Sequence, residues 1–376
     1  MAENIIPAGK EAPKQASYFL SSRPHIASPV SARTLMARVL IALAPAAIYG
    51  VVLFGLSALL TIVISILAAE LGEAFFRTLT RQELRNRDLS AAVTGLLLAL
   101  IIPPGVPLWM TALGAFFAVI VAKEFFGGLG ANVFNPALTG RAFLIMSFPA
   151  ALTTWRLPGP FSPDAVSSAT PLGILKLGGT AAELGADFAG AGLSASSGYW
   201  GVIKTLCLGN HGGCIGETSI PLILAGMVFL LFTKTIDWRA PLTMMGSVFV
   251  FSFIFGRDPL VGILSGGVVF GAVFMATDYV SAPLTAGGKL IFGFGAGLIT
   301  VLIRRWGNYP EGVTYGLLIM NAATPFLNKL MQKKYGHVHP AKGIAPASAA
   351  PAAFSAPVAP RVQRTEAGKK PEGVDK

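Results

Sequence analysis

Charge is scarce in this chain. Of its 376 residues only 12% are Asp, Glu, Lys or Arg, about half the share usual in a soluble globular domain. That excludes a soluble enzyme of ordinary composition. Cysteine and histidine are scarcer still. Cys207 and Cys214 are too few for a four-thiolate cluster or a zinc site within one chain, and His25, His211, His337 and His339 fall into no metal-ligand spacing. The two cysteines read either as a disulfide or as two free thiols. The pattern of a cleavable signal peptide is also missing, because residues 1–34 are polar and the first apolar run begins near Leu35.

What is present is apolar. Hydrophobic residues make up 53% of the chain and the mean hydropathy is +0.64. A bilayer span takes roughly 20 mostly apolar residues. Ten candidate runs fall at approximately 35–55, 57–76, 89–103, 107–123, 133–152, 219–234, 241–256, 260–277, 289–303 and 312–328. The expected class is therefore an all-α polytopic membrane protein with about ten transmembrane helices. Its 43 glycines and 26 prolines point to close helix packing and to helices broken within the membrane.

A net charge of +11 raises the question of nucleic acid, but the placement of the charge answers it. Lys10, Lys14, Arg23 and Arg33 precede the first run, and Arg77, Arg81, Arg85 and Arg87 separate the second from the third. Basic residues in short loops mark the cytoplasmic side, so both termini are expected there, with Lys123, Lys234 and Arg239. Arg257, Arg304 and Arg305 fall on the outer side as exceptions. The expected organisation is a cytoplasmic segment 1–34, a first five-helix repeat 35–152, an outer-face loop 153–218, a second five-helix repeat 219–334 and a disordered, Ala/Pro/Lys-rich cytoplasmic tail 335–376. Lipid, and no nucleic acid, is the expected surrounding.

The repeat assignment rests on matches that share one offset. Leu89-Ser90-x-x-Val93 corresponds to Leu264-Ser265-x-x-Val268, Pro107-Leu108 to Pro283-Leu284, and Pro136 with Leu144-Ile145-Met146 to Pro310 with Leu318-Ile319-Met320, all displaced by 174 to 176 positions. Five spans per half is an odd number, so the second half must insert upside down relative to the first. Inverted repeats place Gly/Pro-broken segments at corresponding positions, here GGLGANVFNP (127–136) and WGNYPEG (306–312). Such breaks either hold ligand or merely permit tight packing.

Chemistry is expected in the outer loop, at Asp164-Ala165-Val166-Ser167-Ser168-Ala169-Thr170-Pro171-Leu172. Small neighbours leave the Thr170 hydroxyl accessible, and Pro171 favours an extended backbone before it. Taken alone, this is either an ordinary Ser/Thr loop or a modification site. The stretch resembles a flavinylation motif, in which a flavin transferase joins FMN to threonine through a phosphoester. Ala165 and Ser168 stand where glycine is frequent. KEFFGGLGANVFNPALTGRAFL (123–144), GCIGETS (213–219), FGAVFMATDYVSAP (270–283) and GNYPEGVTYGLLIMN (307–321) resemble the family shared by the D subunit of the Rnf complex and the B subunit of the sodium-translocating NADH:quinone reductase. RPHIASP at 23–29 and the ATDYVSAP form resemble the Rnf member more closely.

That resemblance implies a ten-span subunit of an ion-pumping ferredoxin:NAD oxidoreductase in the bacterial inner membrane. It implies covalent FMN on Thr170, within a motif that includes Asp164, Ser167, Ser168 and Ala169. It also implies partner subunits, among them a cluster-binding and a second flavinylated subunit, and no complete reaction in this chain alone. A second, noncovalent flavin, riboflavin, is a further expectation. Asn132 and Asn135 in the broken segment, with Ser90 and Thr94, would supply polar contacts to its ring, unless they simply cap helix ends. Lys123 and Arg141 flank the same segment and would meet either a flavin or lipid headgroups.

Acidic groups near the membrane are functional by default. Asp278, Glu70 and Glu73 are the ion-path candidates, although Glu73 also stands four residues before Arg77, the spacing of a surface salt bridge. Asp258 and Glu311 read as structural. Two other readings share this fold: the B subunit of the quinone reductase, and a flavin-free inverted-repeat channel or transporter, which has no use for the Thr170 motif.

Overall fold

The computed structural model describes residues 30–83, 88–158, 170–176, 184–185, 198–307, 309 and 311–331. Among these residues every extended element of regular structure is a helix. The elements are α1 (Ala32–Phe54), α2 (Leu56–Leu79), α3 (Ser90–Leu100), α4 (Leu108–Ile120), α5 (Pro136–Ser147), α6 (Pro149–Leu152), α7 (Pro171–Lys176), α8 (Tyr199–Leu208), α9 (Ile220–Phe232), α10 (Arg239–Ile254), α11 (Pro259–Leu264), α12 (Val268–Phe270, continued by a wide turn over Gly271–Met275), α13 (Ala286–Trp306) and α14 (Val313–Leu330). Four stretches are long and apolar enough to cross a membrane: Ala32–Phe54, Leu56–Leu79, Leu108–Phe126 and Ala286–Trp306. The other apolar runs form shorter or interrupted helices. The run at 260–277 is split at Ser265-Gly266-Gly267, where the sequence pattern alone suggests a continuous span.

Local chemistry explains where these helices begin. The Ser31 hydroxyl accepts the Thr34 N–H at 3.2 Å to open α1. Asn135 Oδ1 accepts from Ala137 and Leu138 and starts α5, Asp258 Oδ1 accepts from Leu260 and Val261 and starts α11, and proline follows each cap. Proline loses nothing at the first helical position, where its missing N–H would have had no partner. Thr285 opens α13 in the same way.

The main core is an apolar cluster running from Ala42 to Leu327, and a smaller one gathers Leu184, Val202, Leu206 and Val261. Small residues let its backbones approach: a Cβ on Gly293 would come within 2.5 Å of the Ala240 carbonyl, and one on Gly297 within 2.6 Å of the Met244 carbonyl, so α13 lies against α10 at a distance no larger residue permits. On α2 the Ser65 hydroxyl donates to the Gly95 carbonyl of α3 at 2.7 Å. Where the chain interrupts α11 and α12, Arg304 of α13 donates to the carbonyls of Gly262, Ser265 and Gly266. Guanidinium donors thus satisfy acceptors that the broken helix leaves open.

Candidate functional site

Two buried ionic clusters lie at opposite ends of α3. At its start, Lys123 donates to Glu73 Oε2 and to the Ser90 hydroxyl, each at 2.6 Å, and Ser90 in turn donates to Asp88 at 2.7 Å. Arg77 lies 3.2 Å from Glu73 and 3.3 Å from Glu124. Two carboxylates therefore meet two cations, and all four side chains are at most 4% exposed. This corrects the expectation for Glu73. The i,i+4 pair with Arg77 exists, but not at the surface, because the segment after α4 folds over the end of α2. The Gly127-Gly128 break makes that fold possible: Gly128 has a φ of +87°, and a Cβ there would press to 3.1 Å from Arg77 Nη2. Lys123 is consumed by these contacts. Glu70 stands beside the cluster, partly exposed.

The second cluster lies past the far end of α3, where Leu100 packs on Gly216. The eleven residues of α3 that separate the two clusters span about 16 Å. Arg141 of α5 forms an ion pair with Glu311, donates to Thr314 at 3.2 Å and approaches Cys214 Sγ at 3.6 Å. Cys214, Glu217 and Glu311 bring their ligand atoms within 4.8 Å of one another. Three such groups resemble a metal site, but the Arg141 guanidinium already occupies the cationic position. His211 is buried beside them. Desolvation pushes its pKa below the ordinary value, and its Nδ1 donates to the Gly212 carbonyl at 3.0 Å. Sequence reasoning named Arg141 and Glu311 separately and passed over Glu217. The available signal was a lone carboxylate inside the otherwise uncharged GCIGETS stretch. Both cysteines are free thiols.

The remaining expected residues are scattered. Asn135 is the α5 cap, Asn132 Nδ2 donates to the Phe134 carbonyl at 3.0 Å, and Thr94 bonds back to the Ser90 carbonyl. Asp278 accepts from Ser281 at 2.6 Å and borders a cavity of about 110 Å³ shared with Asp237, Tyr279 and Lys289. Thr170, expected to present an accessible hydroxyl, is instead largely buried, 9% exposed, because it stands directly before α7 and its Oγ1 accepts the Gly173 N–H at 3.0 Å. Asp164, Ser167, Ser168 and Ala169 lie outside the described residues.

Interrupted apolar helices around two internal ion-pair networks, with the short helix α7 packed against the α11–α12 break, define a multi-pass α-helical membrane protein. The family model described as the NQR2, RnfD, RnfE family matches residues 19–336, and the chain belongs to that family. It is 43% identical over 331 residues to the D subunit of the proton-translocating ferredoxin:NAD(+) oxidoreductase complex of Clostridium ljungdahlii, covering 86% of this chain and 97% of that one. It is 40% identical over 319 residues to the D subunit of the Na(+)-translocating ferredoxin:NAD(+) oxidoreductase complex of Acetobacterium woodii, with 84% and 95% covered. The D subunit of the ion-translocating oxidoreductase complex of Stutzerimonas stutzeri is 35% identical over 335 residues, with 80% and 91% covered.

Proposed function

We propose that this chain is the D subunit of an Rnf-type, ion-translocating ferredoxin:NAD oxidoreductase complex, and that it carries FMN covalently on Thr170. Relatives whose names carry that activity match it nearly end to end. The observation that carries the flavin assignment is the state of the Thr170 oxygen. It accepts a backbone N–H, and its own proton enters no hydrogen bond among the described residues. Replacing that proton with phosphorus removes no contact that holds α7. The attached FMN would supply one- and two-electron redox chemistry. The protein's part is to fix the point of attachment at the start of a helix.

In this reading the chain forms ten membrane segments as two inverted five-helix repeats, with both termini cytoplasmic and the Thr170 loop on the outer side. The shared offset of 174 to 176 positions between matching residues of the two halves supports the repeat. Other Rnf subunits deliver and remove electrons, and a flavin transferase performs the attachment. Ser90 already serves Lys123, Thr94 the Ser90 carbonyl, Asn132 the Phe134 carbonyl and Asn135 the α5 cap, so the noncovalent riboflavin expected near them draws no support from these contacts. Only one flavin is therefore proposed here. Glu73, Glu70 and Asp278 remain the proposed contributors to ion passage, the first as part of its four-charge cluster. The test is in-gel flavin fluorescence of the denatured chain: signal in the wild type and none in Thr170→Ala supports the assignment, and equal signal in both overturns it.

A further inference from the structure

Beside α7 lies a cavity of about 60 Å³ whose wall carries Lys176, Arg257, Arg304 and Arg305 against a single carboxylate, Asp258. These are the arginines that break the basic-residue pattern of the rest of the chain. Much of their hydrogen-bonding capacity is already committed. Arg304 holds three backbone carbonyls through its Nη atoms, and Arg257 donates to the Leu175 carbonyl. Asp258 is committed as well, because its Oδ1 accepts from Leu260 and Val261 and from the Tyr199 hydroxyl at 3.1 Å.

Two donors are left over. Lys176 Nζ and Arg304 Nε are enclosed and have no hydrogen-bond partner among the described residues. Burial depresses the Lys176 pKa, as expected for an ammonium without a counter-charge. An unpaired buried cation is costly, and removing one partner from such a pair typically destabilises by several kcal/mol. Arg304 also feels Glu217 and Glu311 from its far side, but the cavity wall itself gathers four cations around one spent carboxylate, two of them with idle donors, an arrangement suited to an anion with several acceptor oxygens.

We propose that this cavity is a phosphate-binding site. A phosphate oxyanion presents several strong acceptors, enough to engage an ammonium and a guanidinium together. Two sources place such a group at this face. One is the phosphodiester of a flavin tethered to Thr170, which precedes α7 but does not itself line the cavity, so that this source requires α7 to bring the tether to Lys176 and rests on the flavin reading above. The other is a phospholipid headgroup, which does not.

The test uses the full chain in its assembled complex, as wild type, Lys176→Met, Lys176→Arg, Arg305→Gln and Thr170→Ala. Retention of palmitoyl-oleoyl phosphatidylglycerol through detergent exchange is read by mass spectrometry, and the flavin phosphodiester by its ³¹P resonance. If lipid is the source, Lys176→Met and Arg305→Gln weaken retention about tenfold or more, Lys176→Arg restores it and Thr170→Ala does not change it. If the tether is the source, lipid retention is constant. The ³¹P resonance then shifts in Lys176→Met and Arg305→Gln and is absent in Thr170→Ala. A wild type without covalent flavin removes the Thr170 reading, and the lipid measurement still decides the site. Unchanged lipid retention and an unchanged ³¹P resonance in both Lys176→Met and Arg305→Gln overturn the proposal. Arg305 is exposed, so its variant keeps the test decisive if Lys176→Met fails to fold.

Discussion

Replacing Glu73 with glutamine should cost far more than its helical position suggests. Glu73 is fully buried and receives both the Lys123 ammonium at 2.6 Å and Arg77 at 3.2 Å. In Glu73→Gln the cluster changes from balanced to one excess positive charge. Lys123 then keeps only Ser90 and a distant Glu124 at 3.9 Å. Stranding one member of a buried pair typically costs 3–5 kcal/mol. Because the amide retains one acceptor, the lower end applies, about 3 kcal/mol. If that loss appears in the unfolding barrier, the half-life of the detergent-solubilised chain at a fixed elevated temperature shortens by roughly two orders of magnitude. Size-exclusion recovery against time measures it. The double variant Glu73→Gln, Lys123→Met restores neutrality and should regain most of the loss, a coupling of about 2 kcal/mol or more between two contacting residues. A half-life within twofold of wild type in Glu73→Gln would refute the argument, and so would strict additivity in the double variant.

Thr170→Ser should retain some covalent flavin where Thr170→Ala has none, as read by an intact-mass gain equal to FMN less water. Asn135→Leu should leave that flavin in place and destabilise the chain by about 1 kcal/mol, the value of a helix cap, which a denaturation series would register. Asn321 lies 1% exposed on α14 with neither side-chain polar atom hydrogen-bonded among the described residues. An unsatisfied buried amide costs about 1–3 kcal/mol, so Asn321→Leu should lengthen the thermal half-life, and a shortened one would mean that the amide holds a water or a partner group. For sidedness, a membrane-impermeant thiol reagent applied from outside should label a cysteine placed at Thr180 and spare one placed at Ala350. Labelling of both from one side would mean a miscounted span.

Apolar runs, caps and broken segments were legible because each is written in neighbouring residues. Asn135-Pro136 and Asp258-Pro259 announce helix starts, and GGLG announces an interruption. The ionic clusters were legible only in fragments. Glu73 and Arg77 are four residues apart and visible as a pair, but Lys123 joins them across 50 positions and Glu124 joins Arg77 across 47. Arg141 meets Glu311 across 170. Helical periodicity assigns a residue to a face and does not say which distant segment will cover it. That is why Glu73 read as a surface residue and Glu217 was passed over. Thr170 was found from its flanking sequence, whereas the orphan ammonium of Lys176 depends on packing that spacing does not encode.

The guanidinium of Arg304 makes a mechanical linkage out of what would otherwise be a gap. It fastens three carbonyls of the interrupted α11–α12 segment to α13. Leu172, two residues beyond Thr170, rests on Gly266 inside that fastening. A displacement of α13 along its axis is therefore handed through Arg304 to the break, and through Leu172 to the helix that Thr170 begins. The linkage works equally in reverse. A change of charge or shape in whatever Thr170 carries has a short, stiff route into a membrane-length helix, with no flexible loop between them to absorb the movement.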